Sequence, residues 1–161
     1  MEIKDSGARR EFGTGAVRDI QDGKGRCDLL PLDTIGELWG DPILTNVGTF
    51  VRCGDPNFIR HAIEFFLEVK DWSYSTALLE VAKHYEEGAK KYDERNWEKG
   101  IYLHCYIDSG IRHYLKWLRG DTDEPHDRAF VWNMLCALWT QANKPELIDL
   151  PFKENNDADI K

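Results

Sequence analysis

The second half of the chain repeats apolar residues at intervals of three and four, the spacing of one face of an α-helix. Three such stretches run over residues 75–92, 103–118 and 126–141. The third is apolar nearly all round, as expected for a helix that is covered on several sides. The pattern therefore predicts three core helices and an all-α fold.

The first half of the chain is less regular. Residues 1–30 carry five glycines among scattered charges and show little periodicity, which is typical of a loop or an extended arm. Asp33 or Thr34 could cap a short helix that Asp41-Pro42 would end. The residues that follow fit a short helix or a strand equally well.

The predicted organisation is a single domain with four parts. The spacing becomes helical again from residue 56, so the stretch before the core reads as a helical insertion. The parts are an extended arm over 1–30, the insertion over 42–76, the core helices over 77–143 and an acidic, irregular tail over 144–161, within one domain over 1–161.

Composition limits the classes of function. With 161 residues and 42% hydrophobic residues, the chain can form one domain with a real core. Its net charge of −8 argues against binding to nucleic acid polymers, which usually requires a basic surplus, but leaves binding of a single nucleotide open.

Four widely spaced cysteines without a C-x-x-C pair predict reduced thiols. With no apolar run long enough for a signal peptide or membrane span, the expected location is the cytosol.

Charged residues follow one face of the first core helix. Glu80, His84, Glu87 and Lys91 share that face because residues three, four and seven apart nearly superpose on a helix. Glu86 lies nearer the apolar edge. An ordinary solvated face would show the same pattern, since Glu87 and Lys91 are also spaced for a surface ion pair.

The second core helix carries a polar strip with Asp108 and Arg112, and His113 lies beside it. If these two helices pack as antiparallel neighbours, carboxylates of the first could meet Asp108. Magnesium prefers a few carboxylates together with phosphate oxygens and water, and arginine binds phosphate bidentately. The sequence therefore allows a metal and phosphate site there, with a structural role for Asp108 as the alternative.

Other enzyme templates fit poorly. The chain has no P-loop and no G-x-S-x-G elbow. His126-Asp127 resembles the metal-binding pair of HD phosphohydrolases, but the upstream histidines of that fold are not evident. His113 and His126 taken singly are more often hydrogen-bonded structural residues. Asn133 interrupts an apolar helix, so we expect its amide to be hydrogen-bonded in the core.

Five blocks of the sequence together carry a family resemblance. They are TGAVRD (14–19), GKGRCDLLP (23–31), EEGAKKYDERNWEKG (86–100), DSGIRHYLKWLRGDTDEPH (108–126) and WN (132–133). In this order they resemble the phage and bacterial family of dATP/dGTP diphosphohydrolase domains, which are relatives of the MazG-like all-α nucleoside triphosphate pyrophosphohydrolases.

The resemblance implies a MazG-like helical bundle that assembles as a homodimer or homotetramer. It implies cleavage of a purine nucleoside triphosphate, such as dGTP or dATP, between the α and β phosphates. We expect Mg²⁺ as the cofactor, with Mn²⁺ as the alternative. The superfamily uses an E-E-x-x-E run on one helix and an acidic pair on the next. This chain has Glu86-Glu87, but Lys90 follows where a third glutamate belongs, so Glu80 would take its part beside Asp108.

The predicted site joins these groups. Its predicted metal ligands are Glu80, Glu86, Glu87 and Asp108, and Glu80, Glu87 and Asp108 are also the predicted catalytic residues. The predicted substrate contacts are Arg18, Lys24, Arg26, Lys90, Lys91, Tyr92, Asn96, Trp97, Arg112 and His113. The cations would meet phosphate oxygens, and an aromatic ring would stack on the base, contributing about 1–3 kcal/mol.

Two other classes of function fit the sequence. A nucleotide-binding protein could use the same cavity to sequester a nucleotide without turnover, because the acidic motif is incomplete. A helical interaction module would have charge clusters that serve only as surface, and its melting temperature would not rise with nucleotide.

Overall fold

The computed structural model describes residues 2–152, and most of this part of the chain is α-helical. Two short antiparallel strands come first, β1 (Arg9–Glu11) and β2 (Val17–Asp19), followed by a 3-10 turn at Cys27–Leu29. Seven α-helices follow among the described residues: α1 (Leu32–Trp39), α2 (Pro42–Cys53), α3 (Pro56–Lys70), α4 (Tyr74–Lys91), α5 (Asn96–Lys99), α6 (Leu103–Arg119) and α7 (His126–Asn143). The predicted all-α fold is confirmed.

Local signals explain where the helices begin and end. Helix α4 begins after Ser73, whose hydroxyl accepts a hydrogen bond from the N–H of Thr76. Helix α6 ends at Gly120, which adopts the left-handed conformation typical of a helix terminus. The ambiguous stretch after Asp41 is helix α2, because Asp41 caps it and proline occupies its first position. The predicted cap at Asp33 or Thr34 is wrong, since α1 already begins at Leu32, and Pro31 precedes it without a side-chain cap.

Helix α7 lies at the centre of the packing and is the main partner of both α4 and α6. This explains why it is apolar nearly all round. Helices α6 and α7 approach closely at Gly110, where an added Cβ would lie 2.5 Å from Met134 Cε. The condition for the predicted carboxylate site, that α4 and α6 pack as antiparallel neighbours, is not met, because each packs mainly on α7.

The segment predicted to be a helical insertion and the start of the tail join the same core. Phe66 of α3 is fully buried and contacts Phe130, Trp117 and Tyr114 at ring-centroid distances of 4.9, 5.0 and 6.1 Å. In the tail, Phe152 packs against Phe50 of α2. The predicted irregular tail is thus anchored as far as residue 152, and its remainder, 153–161, lies outside the described residues.

The N-terminal arm forms a hairpin that folds back over the helices. Val17 of β2 exchanges two hydrogen bonds with the side-chain amide of Asn96, at 2.9 and 2.8 Å. Before the hairpin, the N–H of Ile3 donates to Glu87 of α4 at 3.1 Å. None of the helices in the described part of the chain is long and apolar enough to cross a membrane.

Candidate active site

A cavity of about 780 Å³ opens between the N-terminal arm and helices α4, α6 and α7. Its size falls in the range of about 300–1,000 Å³ that is usual for small-molecule sites. The arm and hairpin line one side, and the facing surfaces of the three helices line the other. Burial of the α4, α6 and α7 faces on the core fixes these walls.

Basic side chains dominate the lining of this cavity. Nine cationic residues line it against four acidic ones, although the whole chain has a net charge of −8. The cations are Lys4, Arg10, Arg18, Lys24, Lys91, Arg95, Arg112, Lys116 and Arg119, and the acids are Asp5, Asp19, Asp93 and Glu124. A concave surface with such an excess concentrates anionic ligands.

Arg18 is held in the cavity wall by a hydrogen bond and by two aromatic rings. Its Nη2 donates to Asn133 Oδ1 at 3.3 Å, and its guanidinium lies over the rings of Tyr106 and Trp132, 5.2 and 5.8 Å from their centroids. The Asn133 amide also donates to Ala129 O at 2.8 Å, which confirms its expected hydrogen bonding in the core. Arg18 Nη1 is buried without a protein partner, and this donor is available to an anion.

Arg112 is fixed in a similar way on α6. Its Nη2 donates to Asp108 Oδ1 and to the Gly25 carbonyl oxygen, both at 2.6 Å, and its buried Nε has no protein partner. The neighbouring Lys24 has a pKa below its usual value, because it is partly buried and lies near Arg112. The proximity of Lys24 to Arg112 and the lowered pKa of Lys24 both indicate that positive charge is crowded here. A bound anion would reduce the repulsion between these cations.

Aromatic residues form another part of the wall. His84 and Trp132 lie with ring centroids 5.2 Å apart, and His84 Nδ1 and Trp132 Nε1 are both buried without protein partners. Burial, together with the nearby Arg128 and Arg18, lowers the pKa of His84 to about 3, so this imidazole is neutral at pH 7. A neutral, aromatic region with free polar atoms suits a nucleobase better than a phosphate.

Eight of the ten predicted substrate contacts line the cavity: Arg18, Lys24, Lys91, Tyr92, Asn96, Trp97, Arg112 and His113. Arg26 and Lys90 do not. Arg26 forms a two-pronged ion pair with Asp28 at 2.8 and 2.7 Å. Lys90 is exposed and lines a separate, shallow depression beside α5.

Several of the eight also hold the hairpin. Lys91 Nζ lies 2.7 Å from Asp19 Oδ2, and the Tyr92 hydroxyl donates to Asp19 Oδ1 at 3.3 Å. Both polar atoms of the Asn96 amide bind Val17, so Asn96 is engaged by the backbone. Trp97 packs edge-on against Trp139, with centroids 4.9 Å apart. These residues build the wall, and Arg18, Lys24 and Arg112 are better placed to meet a ligand.

The carboxylates predicted on α4 do not converge. Glu80 pairs with Lys83 at 2.7 Å, Glu86 is exposed, and Glu87 accepts from Arg128 Nη2 at 2.5 Å. None of the three lines the cavity. Seven residues of helix separate Glu80 from Glu87 by about 10 Å along the axis, so sharing a helix face does not bring them to one ion.

Asp108 is also engaged elsewhere. It is 2% exposed, and its Oδ1 accepts from the N–H of Cys27 at 2.7 Å and from Arg112 at 2.6 Å. These contacts tie the end of the arm to α6, the structural role that was the alternative for this residue. The structure therefore does not assemble the metal site predicted from Glu80, Glu86, Glu87 and Asp108.

A different group of ligand-type side chains lies where α6 meets the start of α7. The ligand atoms of His113, Glu124 and His126 lie within 4.8 Å of one another, as do those of Asp121, Asp123 and His126. His113 Nδ1 is 2.9 Å from His126 Nδ1, and His126 Nε2 is 2.7 Å from Asp123 Oδ1. His113 and Glu124 also line the cavity.

His126 and Asp127 do not act together as the metal-binding pair of an HD phosphohydrolase would. His126 is buried in the contacts with His113 and Asp123, while Asp127 forms an ion pair with Lys70 of α3 at 3.0 Å. Burial and the adjacent His126 hold the pKa of His113 well below its usual value. His113 is therefore neutral at pH 7, the state in which imidazole binds metals.

Sequence reasoning missed much of this arrangement. His84 and Trp132 received no role because a histidine on a charged helix face and a tryptophan in an apolar helix are both unremarkable. The stretch from Asp121 to His126 carried a usable signal, since three acids and a histidine fall within six residues directly after a helix.

The comparisons with known proteins agree with the core of the fold. The family model described as dATP/dGTP diphosphohydrolase, N-terminal, matches residues 70–150, which span helices α4 to α7. The arm blocks at 14–31 lie outside this match. No curated protein and no solved structure matches the chain. Because the matched region covers half of the sequence and includes the helices that wall the cavity, the chain belongs to the dATP/dGTP diphosphohydrolase family.

Proposed function

We propose that this protein hydrolyses dGTP or dATP, or a related purine nucleoside triphosphate, to the monophosphate and pyrophosphate. The observation that carries the proposal is the cavity, in which nine cations face four acids within an acidic chain. Family membership supports nucleotide hydrolysis. The cavity supplies a place where a triphosphate would bind.

The triphosphate would bind at the basic part of the cavity. Phosphoryl transfer depends mainly on positioning and on neutralising charge. Arg18 and Arg112 each present a buried N–H without a protein partner, and each is held in place by other contacts. Lys24 adds a third cation close to Arg112. Preorganised donors of this kind stabilise the developing negative charge without reorganising during the reaction.

The purine base would lie against the aromatic part. The indole N–H of Trp132 can donate a hydrogen bond to a ring nitrogen or carbonyl oxygen, and His84 can donate or accept according to its tautomer. Both groups are buried without protein partners. This pairing of orphaned polar atoms with aromatic surface fits a heterocycle that is both flat and polar.

A divalent ion is part of the proposed function, with Mg²⁺ or Mn²⁺ as the expected species. The carboxylates predicted on α4 and α6 do not fit one ion. Two groups that share His126 each lie close enough together to hold one: His113, Glu124 and His126, and Asp121, Asp123 and His126. When bound there, the ion would neutralise phosphate oxygens and make a bound water more acidic. The position of His113 and Glu124 in the cavity lining supports this choice.

The test is the identity of the products. The protein is incubated with dGTP, dATP and a panel of other nucleotides in the presence of Mg²⁺ or Mn²⁺, and the products are separated by ion-exchange chromatography. Monophosphate and pyrophosphate in equal amounts are expected from dGTP or dATP. Diphosphate with orthophosphate, or no turnover across the panel, would contradict the proposal.

Binding without turnover is the second candidate function. Three of the four predicted metal carboxylates, Glu80, Glu87 and Asp108, bind other protein groups instead, and Glu86 is exposed. This arrangement favours binding without turnover. Calorimetry with dGTP distinguishes the two: binding heat without product formation would support sequestration, and binding heat with pyrophosphate release would support hydrolysis.

We also propose that the protein self-associates, as the resemblance implies. Helix α4 leaves Tyr74, Leu78 and Leu79 exposed by 75%, 51% and 71%, an apolar surface that a second copy would cover. Analytical ultracentrifugation should show a dimer or tetramer, and a monomer at all concentrations would rule this out.

A further inference from the structure

The cluster between α6 and α7 is built by close helix packing. Gly110 allows α6 to approach α7, since an added Cβ there would collide with Met134 and press on Asn133, 3.1 Å away. His113 lies one turn further along α6 and reaches His126 at the first position of α7. Glu124 lies in the connection between the two helices, so three separate parts of the backbone supply the group.

The spacing of the two imidazoles fits neighbouring ligands of one ion. His113 Nδ1 and His126 Nδ1 are 2.9 Å apart. Two nitrogens bound at right angles, each about 2.1 Å from a metal, lie about 3 Å apart. In the structure the same distance is met by a hydrogen bond between the rings, in which one nitrogen donates and the other accepts.

A cation from the arm already occupies the edge of this cluster. The Lys4 ammonium lies 2.6 Å from Asp123 Oδ2, and the Lys4 backbone N–H donates to Glu124 Oε1 at 2.8 Å. The arm is held further along by Lys91 Nζ, which donates to the Lys4 carbonyl oxygen. The site thus attracts positive charge, and one residue engages two of its carboxylates.

We propose that His113, Glu124 and His126 bind a first-row transition ion such as Co²⁺ or Mn²⁺, and that this ion displaces Lys4 from the neighbouring Asp123. This inference rests on the proposed function only in assuming that the bound ion takes part in nucleotide hydrolysis. Imidazole nitrogen suits transition ions, whereas Mg²⁺ prefers an oxygen shell with several waters. The donor set therefore selects a different ion from the one that an all-carboxylate site would take.

The test measures binding of the ion alone, without nucleotide. Co²⁺ is titrated into the full chain, and binding is followed by visible absorption of the coordinated ion and by calorimetry. Wild type should bind Co²⁺ through nitrogen and oxygen ligands, and an equal concentration of Mg²⁺ should not displace it. Glu124→Gln and His113→Gln should each weaken Co²⁺ binding at least about tenfold. Glu80→Gln, the same change on the outer face of α4, should leave it unchanged.

Lys4 provides a variant with the opposite effect. Lys4→Met removes the competing ammonium but no ligand, so it should tighten Co²⁺ binding by about two- to fivefold. Circular dichroism and melting temperature establish that each variant is folded. Equal Co²⁺ affinity in wild type, Glu124→Gln and His113→Gln would overturn the site, and unchanged affinity in Lys4→Met would overturn the displacement. Loss of binding in Glu80→Gln would instead place the metal on α4.

The proposed function can fail separately. If Co²⁺ binds as described but dGTP is not cleaved with any ion, the metal site stands and the hydrolase proposal falls. If dGTP is cleaved but Co²⁺ binds equally well to all variants, the hydrolase proposal stands and this site falls.

Discussion

Arg18 shows how single contacts turn a surface charge into a binding group. Its guanidinium is held by one amide and two aromatic rings, which limits the conformations it must give up when it meets a ligand. Preorganisation of this kind raises affinity because less side-chain entropy is lost on binding. The buried, unpaired Nη1 marks the point where an anion would add the most.

Replacing Arg18 should therefore weaken nucleotide binding selectively. Arg18→Met removes the charge and the free donor, and loss of one charge-assisted hydrogen bond should lower the affinity for dGTP by about 10- to 100-fold. Calorimetry with folded protein gives the measurement. Arg60→Met, which alters an exposed residue of α3, is the matched control and should bind dGTP as wild type does. Equal affinity in both variants would remove Arg18 from the site.

The sequence predicted residues of the basic cavity better than its acidic and neutral partners. Arg112 was predicted because it lies on the polar strip of α6 with Asp108, and Arg18 and Lys24 because they are cations of the glycine-rich arm. His84 was assigned to a charged helix face, yet it is 8% exposed. Trp132 packs against it, and this contact leaves no trace in local periodicity.

At the scale of elements, Asp41 connects helix α2 to helix α6. Its Oδ1 accepts from the N–H groups of Ile43 and Leu44 at 2.9 and 3.1 Å, and its Oδ2 accepts from the Tyr114 hydroxyl at 2.6 Å. Burial, together with this hydrogen bond, raises the pKa of Tyr114. One carboxylate thus caps α2 and satisfies a buried hydroxyl of α6.

Asp41→Ala should cost more than an ordinary cap. Loss of the cap contributes about 1 kcal/mol, and the unpaired Tyr114 hydroxyl adds about 1–3 kcal/mol. Urea denaturation measures the free energy of unfolding. Asp55→Ala is the control, because the exposed Asp55 caps α3 with a single hydrogen bond to Asn57 N, and it should cost about 1 kcal/mol or less. Equal losses would show that Tyr114 gains nothing from Asp41.

The start of α6 should show a pH-dependent contribution to stability. Asp149 accepts from the His104 backbone N–H at 2.9 Å and pairs with its imidazole, and this hydrogen bond raises the pKa of His104 to about 10. A raised folded-state pKa stabilises the protein fully below about pH 6.5, and the contribution declines as the pH rises towards 10. The partly exposed pair should contribute at most about 1 kcal/mol.

Urea denaturation at several pH values checks this expectation. His104→Gln should be less stable than wild type at pH 6, and the two free energies of unfolding should converge by pH 10. Asp149→Asn removes the same pair from the other side and should converge with wild type in the same way. A difference that stays constant from pH 6 to pH 10 would contradict the assignment.

The elements themselves were largely predictable, whereas their arrangement was not. Helices α4, α6 and α7 follow from local periodicity, and their observed ends lie within about two residues of the predicted ones. The packing of both α4 and α6 on α7 depends on contacts such as that at Gly110, which periodicity does not reveal. The metal site predicted from carboxylates of α4 and α6 required these two helices to be neighbours, and in the structure each packs mainly on α7.

At the scale of the whole molecule, an acidic chain encloses a basic cavity. The chain has a net charge of −8, while the arm, hairpin and three helices place nine cations and four acids around the cavity. Such a distribution attracts a small anion that fits the cavity and repels an anionic polymer that does not. This distribution supports the proposed binding of a nucleoside triphosphate.

The central claim is that this cavity binds a purine triphosphate for cleavage between the α and β phosphates. The most direct measurement is a ³¹P NMR time course of dGTP with Mn²⁺, run in parallel on wild type, Arg18→Met and Arg60→Met. We predict that dGMP and pyrophosphate appear together with wild type and Arg60→Met, and at least about tenfold more slowly with Arg18→Met. Formation of dGDP and orthophosphate, or equal rates in all three proteins, would contradict the account.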